Sequence, residues 1–192
     1  MKRQTEMPRL EQMESELKRV KYKRRYRSVL RSTVYALITV AAAAVLVATL
    51  WMPVLQIYGA SMSPTLEEGE IILSLKTGQF AQGDIVAFYY NNKILIKRVI
   101  AGPGQWVNIT EDGSVYVDDR LLEEPYLHEK ALGECDIELP YQVPDERYFV
   151  MGDHRATSVD SRSTAVGCVA EEHIVGRIDF RVWPLKGFGP VR

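Results

Sequence analysis

Asp84-Ile85-Val86-Ala87-Phe88-Tyr89-Tyr90-Asn91-Asn92-Lys93-Ile94-Leu95-Ile96-Lys97-Arg98-Val99-Ile100 holds two apolar runs on either side of an Asn pair. Both runs are rich in β-branched and aromatic residues, and Asn tolerates positive φ, so the pattern predicts strands over 84–90 and 94–100 joined by a tight hairpin. The same grammar runs from Gly59 to Arg192, where short apolar segments are punctuated by Gly, Pro, Asn and Asp. Further strands are predicted over 70–75, 106–109, 114–117, 148–151 and 174–183. Asp118 and Asp119 offer a second tight turn between Tyr116 and Leu121. Residues 121–144 carry Pro125, Pro140 and Pro144 with little periodicity and read as a long excursion. The expected fold is mainly β: an antiparallel-sheet or barrel-like domain over residues 53–192.

Upstream the chain changes character. Eleven Lys and Arg stand against four Glu up to Arg31, about +7, while the remainder carries about −8, so the net charge of −1 hides a strong asymmetry. No charged side chain lies between Arg31 and Glu67, and residues 32–52 are rich in Ala, Val and Leu. Twenty-one such residues cross a hydrocarbon core as a helix, with Tyr35 and Trp51 near its ends, where amphipathic rings favour the interface. Basic flanks are retained on the cytoplasmic side. Residues 1–31 are therefore expected inside, 32–52 in the cell membrane as a single span, and 53–192 outside. A cleavable secretory signal fits the Ala run at 41–44, but the basic region is too long and the apolar stretch exceeds a usual signal core. Residues 9–27 place Leu10, Met13, Leu17 and Val20 at helical spacing among charges, which predicts a short amphipathic helix touching anionic lipid rather than nucleic acid.

Few residues invite cofactor chemistry. His128, His154 and His173 are scattered without metal-ligand spacing, and only Cys135 and Cys168 supply thiols, so no metal site or cofactor is expected. Free thiols and a single disulfide are both compatible with the two cysteines.

Three segments carry groups capable of catalysis. Gly59-Ala60-Ser61-Met62-Ser63-Pro64-Thr65-Leu66 sets a hydroxyl in a turn just after the apolar span; taken alone, a serine before a proline is most often a turn residue or a cap. Strand alternation points Lys97 to one face with Leu95 and Val99, and Arg98 to the other with Ile96 and Ile100, so at least one cation meets an apolar surrounding. Arginine stays charged there, whereas lysine can lose its proton at about 1.4 kcal/mol per pKa unit of depression. A neutral lysine is a competent base toward a serine hydroxyl without any histidine. The bland alternative is a lysine that snorkels to solvent or pairs with an acid. The third segment, residues 151–162, is dense in small polar and charged residues that a surface loop would also show.

Taken together, Ser-Met-x-Pro-Thr at 61–65, Gly-Asp-Ile-Val at 83–86, Lys-Arg-Val-Ile at 97–100 followed by Gly102-Pro103-Gly104, and Gly152-Asp153-x-Arg155 with Ser158-x-Asp160-Ser161-Arg162 resemble bacterial type I signal peptidase, in that family's order. The closing 174–177 and 181–184 segments look like its last strand. The resemblance implies an endopeptidase that removes signal peptides from exported preproteins, cutting after small residues in an Ala-x-Ala pattern. It implies Ser61 as nucleophile, Lys97 as base and Ser158 as the group that orients Lys97. Asp153, Arg155, Asp160 and Arg162 would support the loop, while Ile57, Met62, Leu66, Leu95 and Ile96 would line the substrate pockets. Some family members place a hydroxyl two residues before the nucleophile; Gly59 stands there, so the oxyanion would rely on the Ser61 backbone N–H. His154 stands where Asn is common, and Cys168 near a spot often held by Pro.

Two other classes fit parts of the pattern. A membrane-anchored β module that only binds peptides has no need of a buried neutral lysine. A self-cleaving Ser/Lys repressor would need a DNA-binding part, and the N-terminal region has no helix-turn-helix pattern. A maturase dedicated to one pilus or conjugation substrate would share every motif.

Overall fold

The computed structural model describes residues 10–191. Its contacts separate into a unit ending at Ala48 and a unit from Thr49 onward. The first is the greater part of one uninterrupted helix, α1 (Leu10–Trp51). Two segments were expected, a short amphipathic helix from residue 9 and then a span; Arg9 and the residues before it lie outside the described residues. The structure joins the two because no Gly or Pro interrupts residues 10–51, and Pro53 stands two positions past the last helical residue, Trp51. Met13–Trp51 is long and apolar enough to cross a membrane. At about 1.5 Å per residue the helix exceeds a hydrocarbon core about twofold, so only its uncharged half matches that layer.

The second unit is built of antiparallel strands: β1 (Val54–Gln56), β2 (Ile71–Leu75), β3 (Ile85–Tyr90), β4 (Lys93–Ala101), β5 (Trp106–Ile109), β6 (Val115–Val117), β7 (Arg120–Leu121), β8 (Tyr141–Gln142), β9 (Arg147–Met151), β10 (Val169–Ala170), β11 (Ile174–Trp183) and β12 (Gly189–Pro190). The larger sheet runs β1-β2-β11-β3-β4-β9-β10, with β12 beside β11; the smaller runs β7-β6-β5-β8. Both foreseen hairpins are present. Asn91 adopts φ +52° where Tyr90 pairs with Lys93, and Asp118 and Asp119 adopt +51° and +63° where Val117 pairs with Arg120. The five strands that the sequence did not reveal, β1, β7, β8, β10 and β12, have two or three residues each, too few for a period-2 signal.

Burial of both faces explains the unbroken apolar run of β3. Ile85 and Ala87 pack with Ile57, Met62, Leu66, Ile72 and Ile178, while Val86 and Phe88 pack with Val99, Tyr148, Val150 and Val169. A third cluster joins the sheets, setting Ile100, Ala101, Phe149 and Met151 against Val107, Ile109, Val115 and Val117. Strand β4 therefore spans the unit: its last residues lock into the inter-sheet core, and its middle carries Lys97 and Arg98.

The 121–144 excursion is held down at several points. One is Gly113, at φ +81°, where a Cβ would lie 2.4–2.7 Å from the Ala131 backbone. The Gly113→Ala chain should therefore lose about 2 kcal/mol of stability, seen as a thermal unfolding midpoint about 4–8 °C lower in detergent. An unchanged midpoint would show that the excursion does not press on this turn.

Candidate active site

The site begins with a turn that the core grips from beneath. The Ser63 N–H donates to Ala60 O at 3.0 Å and the Leu66 N–H to Met62 O at 2.9 Å, winding residues 60–66 into successive tight turns. Met62 and Leu66, 2% and 0% exposed, sink into the cluster beside Ile85. Backbone bonds from the Ile57 N–H to Glu70 O and from the Gly69 N–H to Ile57 O close the segment at its base. Ser61, between these anchors, is left only half-buried.

Lys97 pairs with Val86 across the β3–β4 ladder and is 3% exposed. Its Nζ donates to Ser61 Oγ at 2.7 Å. Burial pushes the Lys97 pKa down from 10.5 to about 8; Asp160 and Asp153 push it up and Arg162 pushes it down. Holding an ammonium there is disfavoured by about 3 kcal/mol relative to water.

Arg98 is equally buried and keeps its charge by pairing. Its Nε and Nη2 donate to the two Asp153 oxygens at 2.9 and 2.7 Å, and its Nη1 to Gly83 O at 2.8 Å. The Thr65 hydroxyl also donates to Asp153, linking the Ser61-bearing turn to the same carboxylate. Asp160 accepts from Arg162 Nε and Nη2, both at 2.9 Å, and from the Gly152 N–H at 2.9 Å. Arg155 Nε donates to Gly152 O at 3.2 Å, and its guanidinium pairs with Glu124, a partner that sequence reading did not foresee. The four residues expected to shape the 152–162 loop thus all lie in buried ion pairs, with Arg98 and Glu124 completing them.

That loop touches Ser61 through its backbone: the His154 N–H donates to Ser61 O at 3.0 Å. Gly152 is required at the contact, because a Cβ there would lie 2.5 Å from Ser61 O and 2.2 Å from Ser158 Oγ. Ser158 is 2% exposed, and its Oγ has no hydrogen-bond partner among the described residues. The Lys97 contact expected of it is therefore not formed here, where Lys97 donates to Ser61 instead.

A cavity of about 560 Å³ opens beside Ser61, lined by residues 54–59, Met62 and 93–96. Of the residues named for substrate binding, Ile57, Met62, Leu95 and Ile96 line this cavity and Leu66 does not: the turn after Met62 carries it into the core. Tyr58 and Gln56, joined by a 3.1 Å hydrogen bond, are additional lining residues that sequence reading missed, since β1 is too short to announce itself. Cys135 and Cys168 are free thiols, and burial pushes Cys168 up to about 11. No cluster of three metal-ligating side chains occurs among the described residues.

Comparison with known proteins follows the same residues. The family profile described as signal peptidase, peptidase S26, matches residues 30–183. Signal peptidase IB of Staphylococcus aureus (strain Mu50) is 37% identical over 152 residues, covering 69% of this chain and 78% of that protein. Signal peptidase I U of Bacillus subtilis (strain 168) is 36% identical over 148 residues, covering 71% and 76%. A signal peptidase I crystal structure from Enterococcus faecalis V583 matches at 28% identity and a TM-score of 0.42, over 52% of this chain and 96% of that one. With a family match across most of its length and relatives above one-third identity, the chain belongs to the signal peptidase family, peptidase S26.

Proposed function

We propose that this chain is a membrane-anchored endopeptidase that removes signal peptides from exported preproteins, with Ser61 as nucleophile and Lys97 as general base. The observation that carries the reading is the 2.7 Å contact between Lys97 Nζ and Ser61 Oγ, made by a lysine whose burial brings its pKa to about 8. Ser61 Oγ attacks the scissile carbonyl as its proton passes to Nζ. The oxyanion that develops is held by the Ser61 backbone N–H, and the Lys97 ammonium then protonates the leaving amine. Neutral again, Lys97 draws a proton from the water that hydrolyses the acyl-enzyme and passes it to Ser61 Oγ as the ester bond breaks. Ser158 is the group that steadies Lys97 once Ser61 Oγ is esterified.

The apolar cavity suits an extended peptide with small side chains, typically Ala, one and three residues before the cut. Selection there rests on steric exclusion, since binding a methyl discriminates only weakly. By the basic-flank rule residues 1–31 are cytoplasmic, 32–52 span the cell membrane in contact with lipid, and 53–192 form the extracytoplasmic peptidase domain.

Three outcomes test the reading. Ser61→Ala and Lys97→Ala should each lower cleavage of an Ala-x-Ala preprotein by about 10³-fold or more in folded protein; full activity in either variant would sink the dyad. Because the neutral amine is the active form, the single-turnover rate should climb as pH passes about 8 and level off above it. A rate flat from pH 6 to 10 contradicts a lysine base. The folded-state pKa lies below the unfolded one, so the unfolded chain binds the extra proton between pH 8 and 10.5 and stability rises through that window. Lys97→Met should accordingly be inactive yet more stable than wild type at pH 7, by on the order of 1–3 kcal/mol, with the gain shrinking toward pH 10.5.

A further inference from the structure

Read as a loop, the 121–144 excursion nevertheless sets a buried and a half-buried polar side chain, Glu124 and Tyr126, against the site. The Glu124 side chain is 0% exposed and accepts from both terminal nitrogens of Arg155, one at 3.1 Å. The Tyr126 hydroxyl donates to the same carboxylate at 2.9 Å, and the Tyr126 ring lies 3.9 Å from the guanidinium carbon of Arg98. Arg98 neighbours Lys97 in sequence and holds Asp153, which also receives the Thr65 hydroxyl. Arg155 holds the carbonyl of Gly152, whose missing Cβ lets the loop approach Ser61 O. The three segments that meet at Ser61 and Lys97 are the 60–66 turn, β4 and the 152–162 loop; Asp153 joins them directly, and the pair Glu124–Tyr126 adds a second link, from Arg155 of the loop to Arg98 of β4.

We propose that Glu124 and Tyr126 are positioning residues for the reaction: together they fix Arg155 and Arg98, and through them the separation of Ser61 and Lys97. A buried ion pair adds little stability over a well-packed apolar replacement, so stability alone is a weak reason for one here. Geometry is a stronger one, because displacing reacting groups by about 1 Å costs about 10²-fold in rate. Neither residue lines the cavity beside Ser61, so their influence falls on the chemical step and not on substrate binding.

The inference rests on Ser61 and Lys97 being the dyad, and the full-length protein in detergent with an Ala-x-Ala preprotein tests both separately. Tyr126→Phe keeps the ring over Arg98 but breaks the bond to Glu124, and should lower kcat by a smaller factor than Tyr126→Leu, with KM unchanged. Tyr126→Leu and Glu124→Gln should lower kcat by about 10- to 100-fold with KM unchanged, measured per folded enzyme from thermal unfolding. Wild-type kcat in both of those variants, a loss confined to KM, or failure of both to fold would each overturn the proposal, the last by assigning the pair to stability alone. Ser61→Ala run alongside separates the two ideas. Cleavage that survives it removes the dyad, whereas Ser61-dependent cleavage with Tyr126→Leu at full rate removes only the positioning role.

Discussion

Two adjacent cations in the middle of a central strand are the constraint around which the domain is arranged. Lys97 and Arg98 are each 3% exposed, and β4 has β3 on one side and β9 on the other, so neither side chain reaches solvent by lying along an edge. A bare charge there costs several kcal/mol. The two residues resolve this differently because their chemistry differs. Guanidinium stays charged and takes a bidentate carboxylate, Asp153; the ammonium is compact and gives up its proton more readily. Exchanging the two residues would put the permanent charge beside Ser61 and leave Asp153 with a weaker, single-point partner.

Pairing also keeps the lysine's surroundings electrically quiet. Asp153 and Asp160 each favour the ammonium and Arg162 opposes it, and both acids are bound to arginines, which limits their pull on Nζ. Desolvation is then left as the leading influence. Had either carboxylate faced Lys97 unpaired, a close opposite charge would have raised the pKa and cancelled the effect of burial. The same ion pairs give shape to the 152–162 stretch, which has no regular secondary structure, by tying the Gly152 N–H to Asp160 and the Gly152 carbonyl to Arg155.

What the sequence disclosed follows the range of the interactions involved. Hairpins at Asn91 and at Asp118-Asp119 are local, decided by residues that tolerate positive φ, and the longer strands were legible within a residue or so at each end. Ser61 and Lys97 lie 36 positions apart, and nothing in either segment announces the other; only the order of four motifs linked them. Glu124 and Tyr126 escaped notice because a buried carboxylate reads in sequence like an exposed one, and their partners Arg155 and Arg98 are 31 and 28 positions away. Leu66 was misplaced in the groove for a related reason: an apolar residue near a nucleophile suits a pocket or a core equally well until the turn is seen to fold back.

The site holds two arrangements that oppose folding. Lys97 is buried at a disadvantage of about 3 kcal/mol to its charged form, and the Ser158 hydroxyl is buried without a partner among the described residues, worth about 1–3 kcal/mol. Both lie within a few residues of the core, where Val86, Val99, Ile100, Val150 and Met151 are all fully buried. Such packing keeps a disfavoured arrangement from relaxing: a looser surrounding would admit water to Lys97 and return its pKa toward 10.5, removing the property that the proposed role as base requires. The rigidity of β4 and β9 is therefore part of the chemistry. A substitution that loosened this core would lower the rate at neutral pH before it unfolded the chain, because hydration of one amine requires far less disruption than separation of the sheets.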